Sequence, residues 1–215
     1  THGHSWLEIE APRSGGPLSP KAGPDYDRPV KKRRSFAAGM LLLAAALFGA
    51  ACASTENPQG WAAPATDGNA IVYLSGKDKV SAGNLDSNSL TWTFPDKNRQ
   101  DQKDLSLQAV YGEPVIQDGV VYFASYSSRV FAVNLADGQL KVAPRKINGS
   151  IISGPTLAGD NLAIGTSDHR LYLLKKSNLS AADGWPEDGI DLGDPIWAAP
   201  VFADGAIFVA TMGGD

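Results

Sequence analysis

From residue 61 onward, short apolar runs alternate with turn-forming pairs, and the alternation itself repeats. Four tetrapeptides end in proline at matching places: Trp61-Ala62-Ala63-Pro64, Tyr111-Gly112-Glu113-Pro114, Ile152-Ser153-Gly154-Pro155 and Trp197-Ala198-Ala199-Pro200. The prolines are 50, 41 and 45 residues apart. Three or four residues after each comes a turn: Asp67-Gly68, Asp118-Gly119, Gly159-Asp160, Asp204-Gly205. Each turn leads into an apolar run: Ile71-Val72-Tyr73-Leu74, Val120-Val121-Tyr122-Phe123, Leu162-Ala163-Ile164 and Ile207-Phe208-Val209. β-Branched and aromatic residues suit a pleated, half-buried surface, so each run is expected as a strand.

The second unit shows the pattern in full. Pro114–Gln117 and Val120–Ala124 form one hairpin across Asp118-Gly119. Tyr126-Ser127-Ser128 turns the chain into Arg129–Asn134, and Ala136-Asp137-Gly138 turns it into Gln139–Val142. Four short strands joined by tight turns make an antiparallel meander. The third unit repeats it with Ile164–Ser167 and His169–Leu174, the first with Lys79–Asn84 and Leu90–Phe94. A four-stranded sheet every ~40–50 residues is the unit of a β-propeller, whose blades bury each other's faces by stacking. A β-sandwich or an open meander would not reproduce proline, turn and strand at the same offsets four times. The expected fold is therefore all-β, a propeller of four-stranded antiparallel blades.

Residues 1–60 follow a different pattern. Residues 1–29 are polar, rich in Pro and Gly, and begin with Thr1; they suggest a disordered leader upstream of a true start near Val30. His2 and His4 lie there and suggest no metal site. The basic run Lys31-Lys32-Arg33-Arg34 precedes 16 apolar-biased residues, Phe36–Ala51, that end in small residues. That order describes a secretory signal peptide over 30–51, cut between Ala51 and Cys52. It is short of the ~20 residues that span a bilayer. A buried or anchoring Ala-Leu helix is the alternative. Residues 52–60 serve as a tether, and 61–215 as the propeller region.

Composition adds exclusions. The 215 residues carry a net charge of −4 and 43% apolar residues, ordinary for a globular protein. The single cysteine, Cys52, permits no intramolecular disulfide and no multi-cysteine zinc site. Beyond residue 51 there are 12 Lys+Arg against 19 Asp+Glu, so nothing draws the exported part to nucleic acid. Asp96, Asp101 and Asp104 share one loop, but a calcium loop starting at Asp96 would need glycine where Asp101 stands and glutamate where Leu107 stands. Ser167-Asp168-His169 holds triad residue types consecutively, which suits a surface turn and not a spatial triad. Asn148-Gly149-Ser150 and Asn178-Leu179-Ser180 match a glycosylation sequon and are taken as loop residues.

Two resemblances bear on function. Leu47-Phe48-Gly49-Ala50-Ala51-Cys52 resembles the lipobox of bacterial lipoproteins, with Gly49 departing from the usual leucine. It implies diacylglycerol on the Cys52 thiol and cleavage before it; a stray cysteine near an ordinary cleavage site is the other reading. The units from about residue 58 to 215 resemble the PQQ-like repeat of quinoprotein dehydrogenases and of BamB-type envelope lipoproteins. Pro114, Asp118-Gly119, Val121-Tyr122, Ala132-Val133-Asn134 and Asp137-Gly138 match that unit, as do Leu85-Asp86 and Trp92 in the first. Val142 stands where the docking tryptophan belongs, and the third unit departs after Leu174 into Lys175-Lys176-Ser177 and a long loop through Trp185-Pro186. In the enzymes of the family, the resemblance implies a quinone on a tryptophan in the channel, with calcium, an aspartate base and often adjacent cysteines.

Gly213-Gly214-Asp215 align with the turn into a third strand, so about three and a half blades are expected in this chain, as in a fragment. The expected function is that of an exported propeller, lipid-anchored through Cys52 at the outer membrane or cell surface, acting as a non-enzymatic scaffold for an envelope protein without catalytic residue, metal or cofactor. Its loops or a strand edge would meet the partner. Among the tryptophans, Trp61 and Trp197 are expected in inter-blade packing, and Trp185, in a loop, is the candidate partner contact. The alternatives are a quinoprotein oxidising alcohols or sugars with PQQ and calcium, and a propeller sensor or carbohydrate-binding module.

Overall fold

The computed structural model describes residues 60–76 and 78–213; Ala51, Cys52 and the expected signal peptide lie outside them. The first blade is β1 (Ala65–Asp67), β2 (Ala70–Leu74), β3 (Val80–Asn84) and β4 (Ser89–Phe94), hydrogen-bonded in that order. The second is β5 (Val115–Gln117), β6 (Val120–Ser125), β7 (Arg129–Asn134) and β8 (Arg145–Lys146). The third is β9 (Thr156–Ala158), β10 (Asn161–Gly165), β11 (Arg170–Lys175) and β12 (Ile190–Asp191). A hairpin, β13 (Val201–Ala203) and β14 (Ala206–Phe208), follows. All pairs are antiparallel, and the first strands neighbour one another, β1 beside β5 and β9 beside β13.

The hairpin turns come in two kinds. In the second unit and the last, Asp118-Gly119 and Asp204-Gly205 both hold positive φ, the requirement of a type I′ turn. In the first and third, the two-residue loops are Gly68-Asn69 and Gly159-Asp160, and only the glycine has positive φ. The first turn therefore lies one residue beyond the expected Asp67-Gly68, because a loop of that kind needs glycine first. Ser167-Asp168-His169 is a three-residue hairpin loop with His169 at positive φ, equivalent to Tyr126-Ser127-Ser128 with Ser128 there. The hydroxyl of Thr166 donates to the Asp168 carboxylate, and the Ser167 hydroxyl accepts from the Ser150 N–H. The Asp168 carboxylate thus closes the turn, and the Ser167 hydroxyl ties it to the loop at Ser150.

One strand differs from expectation. Gln139–Val142 does not form the outer strand of the second blade; Leu140 makes a single bridge to Val133, and Lys141 donates to the Ala132 carbonyl. Pro144 has no N–H to continue the ladder, which resumes at β8.

Period-two alternation explains why β6 from Val120 to Ala124 and β7 from Val130 to Val133 are apolar without a break. Val121, Phe123, Phe131 and Val133 join Val72, Val80, Ala82, Trp92 and Phe94 of the first blade in one buried cluster. Val120, Tyr122, Ala124, Val130 and Ala132 join Leu162, Ile164, Tyr172 and Leu174 of the third blade in another. A middle blade buries both faces, so both residue parities must be apolar. Phe123 and Phe131 stack at 5.0 Å, and Phe94 meets each edge-on at 5.4 and 5.3 Å.

The Trp92 indole carries the blade-to-blade lock. Its N–H donates to the Leu135 carbonyl at 2.7 Å, and its ring lies where a Cβ on Gly138 would be, 2.7 Å away. At the next junction, Val142 replaces the tryptophan and Leu179 takes the place of Gly138, with the same positive φ and no exposure. A smaller residue on one blade is matched by a larger one on the other.

Two buried phenols give the fold an alkaline limit. Burial raises the pKa of Tyr122, with the Asp118 carboxylate adding to it. Burial also raises that of Tyr172, although the Asn148 N–H donates to its oxygen at 3.2 Å and opposes the rise. Well below pH 10 both phenols stay protonated, folded or unfolded. Above the ordinary value of 10.0 the unfolded chain ionises first, so stability falls as pH rises. Urea midpoints measured from pH 8 to 11 should be level up to about the ordinary tyrosine pKa and then decline; a level profile throughout would contradict the burial argument.

Candidate functional site

The turns that lead into β1, β5, β9 and β13 build one loop face around the axis side of the blades. Four residues before each proline of the last three repeats stands a fully or almost fully buried aliphatic: Val110, Ile151 and Ile196. One residue later stands Tyr111, Ile152 or Trp197, and in the first repeat Trp61, turned outward. One residue later still, Gly112 is backed against the backbone of Ser153 and Gly154; a Cβ there would fall 1.8 Å from the Gly154 nitrogen. Neighbouring turns thus touch main chain to main chain, which only glycine allows.

This alternation corrects the expectation for two tryptophans. Trp61 is 74% exposed and Trp197 is 52% exposed; neither is buried in inter-blade packing. Ile196, just before Trp197, takes the inward place, so Trp197 faces the other way; before Trp61 stands Gly60, backed against the Val110 main chain. The signal was present in the sequence as Val110, Ile151 and Ile196 at one offset from proline.

Trp61 is not isolated. Its ring lies 4.5 Å from Tyr111, tilted by 57°, and Tyr111 meets Tyr126 edge-on at 5.6 Å. Tyr126 comes from the β6–β7 turn, whose N–H donates to the Ala109 carbonyl and ties the two loops together. Burial, and then the neighbouring Tyr126, raises the Tyr111 pKa, so the Tyr111 phenol stays protonated at physiological pH. A second apolar surface lies beyond it, where Trp197, Val201, Phe202, Phe208 and Met212 are all exposed.

Trp185 sits differently. It is half-buried, and its indole N–H donates to the Leu171 carbonyl at 3.2 Å, pinning the long loop of the third unit onto β11. Part of its ring remains open to solvent. The Asp96–Asp104 loop is organised by a residue that carried no signal in the sequence, Gln102. Its buried amide accepts from the Asp96 N–H and donates to the Gly138 carbonyl. The Asp96 carboxylate accepts from the Asn98 N–H and pairs with Arg99 at 3.5 Å. Asn178 is the acceptor of an Asx turn, receiving the Ser180 N–H and hydroxyl.

Immediately before the four repeat prolines stand Ala63, Glu113, Gly154 and Ala199, one carboxylate among four positions. No group of three or more His, Cys, Asp or Glu among the described residues is placed to hold a metal.

Known proteins place this geometry. The family model described as outer membrane protein assembly factor BamB matches residues 55–182. Over 85 residues the chain is 36% identical to outer membrane protein assembly factor BamB of Legionella pneumophila strain Paris, covering 39% of this chain and 21% of that protein. Over 202 residues it is 28% identical to quinoprotein alcohol dehydrogenase PedH of Pseudomonas putida strain KT2440, covering 86% of this chain and 33% of that protein. The chain thus spans between a fifth and a third of the length of these relatives. The crystal structure of BamB from Moraxella catarrhalis superposes with a TM-score of 0.55 at 12% identity, over 71% of this chain and 42% of that one. The computationally designed Ika4 protein gives 0.58 at 15%, over 75% and 92%. The fold is a β-propeller of four-stranded antiparallel blades, as the repeat requires.

Proposed function

The chain belongs to the family of outer membrane protein assembly factor BamB, and from that premise we propose that it is an exported propeller that serves as a non-enzymatic scaffold for protein partners in the bacterial envelope. The observation that carries the reading is Trp61, 74% exposed yet held in place by Tyr111. A large aromatic costs little rotamer entropy when already braced, and tryptophan and tyrosine are enriched where binding energy concentrates. Trp197 and the open part of Trp185 extend the candidate contact surface.

A photo-crosslinking residue at position 61, in protein produced in bacterial envelopes, is expected to capture an outer-membrane assembly protein. The same probe at Asn69, in the exposed β1–β2 turn, is expected to capture none. Equal capture at both positions, or none at 61, would count against the reading. The PedH likeness supports a second reading, a quinone-dependent alcohol oxidation. Dye reduction by the protein with alcohol, quinone and calcium would establish that reading and overturn the scaffold.

The anchor is proposed at Cys52, the one thiol of the chain. Cys52→Ser is expected to abolish incorporation of labelled palmitate and to leave precursor uncut, without changing the thermal transition of the blades. Stable attachment follows from several acyl chains on one residue, since a single chain binds only marginally. Unlabelled wild-type protein released in soluble form would mean an ordinary signal peptide cut near Ala51.

A further inference from the structure

On the face away from the aromatic row, the second and third blades leave a cleft of about 780 Å³ between them. That size is within the range of small-molecule sites. Its walls include Val120, Tyr122, Leu173 and Ala182, and two ammonium groups approach it from opposite blades, Lys141 and Lys176. The Lys176 side chain is only 14% exposed. Its Nζ donates to one neutral oxygen, Gln117 Oε1, at 2.8 Å, and the nearest carboxylate oxygen, on fully exposed Asp160, is 4.0 Å away. Lys141 pairs with no carboxylate among the described residues, whereas Lys175 is taken by Asp183 at 2.6 Å. The carboxylates of Asp118, Asp160 and Asp183 stand on the rim in water, where screening weakens their hold on the cations.

An ammonium has three donors, and a largely buried one with one neutral acceptor in hydrogen-bond range and one solvated carboxylate at 4.0 Å keeps donors free for a further anion. We infer that this cleft binds a small anionic amphiphile, a carboxylate or phosphate monoester on an aliphatic chain. Its head would meet Lys176 and Lys141 and its chain would lie along Val120, Leu173 and Ala182. The inference is independent of the protein-binding face, since the two surfaces share no residue.

The test is calorimetric titration of the full chain with octanoate, octyl phosphate, 1-octanol and acetate. Octanoate or octyl phosphate should bind saturably at one per chain, and the tighter of the two identifies the head group. 1-Octanol and acetate should each bind at least roughly tenfold more weakly, because each lacks one half of the recognition. Added salt should weaken the anions and leave octanol unchanged. Lys176→Met should lose roughly tenfold or more in affinity for the anion. Lys141→Gln, at an exposed position that folding does not depend on, should lose several-fold and carries the test if Lys176→Met unfolds. Octanol binding as tightly as octanoate, no binding of either anion, or wild-type affinity in a folded Lys176→Met or in Lys141→Gln would overturn the inference.

Discussion

Replacing Trp92 by alanine is expected to destabilise the protein by about 3–5 kcal/mol, the cost of emptying a buried tryptophan site. The indole fills the junction between the first and second blades and donates to the Leu135 carbonyl, so both packing and a hydrogen bond are lost. Gly138→Ala should act from the other side of the same contact. Its Cβ would press on the indole at 2.7 Å, at a backbone φ of +67° that disfavours any side chain. Urea denaturation should show both variants well below wild type. If Trp92→Ala costs under about 1 kcal/mol, comparable to an exposed substitution, the lock is not where the stability resides.

The junction between the second and third blades predicts a compensation. Val142 and Leu179 occupy the places of Trp92 and Gly138; Leu179 belongs to the buried cluster, and half-buried Val142 packs against it. Leu179 holds φ at +59°, a conformation that costs a non-glycine residue about 1–2 kcal/mol and persists because its side chain fills the core. Val142→Trp alone should overpack the site by about 1–3 kcal/mol. Leu179→Gly alone should leave a cavity, with its cost partly offset by relief of the backbone. Together they rebuild the first junction, so the double variant should be more stable than the two single losses imply by at least about 1 kcal/mol. Strict additivity of the three measured values would show that the two positions do not share one space.

How much of this was legible in the chain depends on the range of the cause. The proline, Asp-Gly turn and apolar run recur because each blade needs the same hairpins, and hairpin chemistry is local. The inner strands and hairpins of the units and Ser167–His169 as a turn therefore followed from spacing, and Trp92 as a docking residue from the resemblance to the PQQ-like repeat. The fourth strand of the second blade did not, because Pro144 interrupts a ladder whose resumption at Arg145 depends on β7. Trp61 and Trp197 were placed wrongly because large aromatics suggest burial, whereas Ile196 had already taken the inward position beside Trp197, and beside Trp61 Gly60 lies directly against the Val110 main chain.

The sequence by itself determined the repeat, its strand content, the acidic balance and the family to which the blades belong. Those depend on residue type at fixed offsets. Only the tertiary structure decided that Gly112 must be glycine, that Gln102 bridges a loop to the next blade, and that Lys141 and Lys176 face one cleft. Each of these depends on residues about 35 or more apart in the chain. Stacking of blades brings them together, and no local preference encodes which side chains will meet.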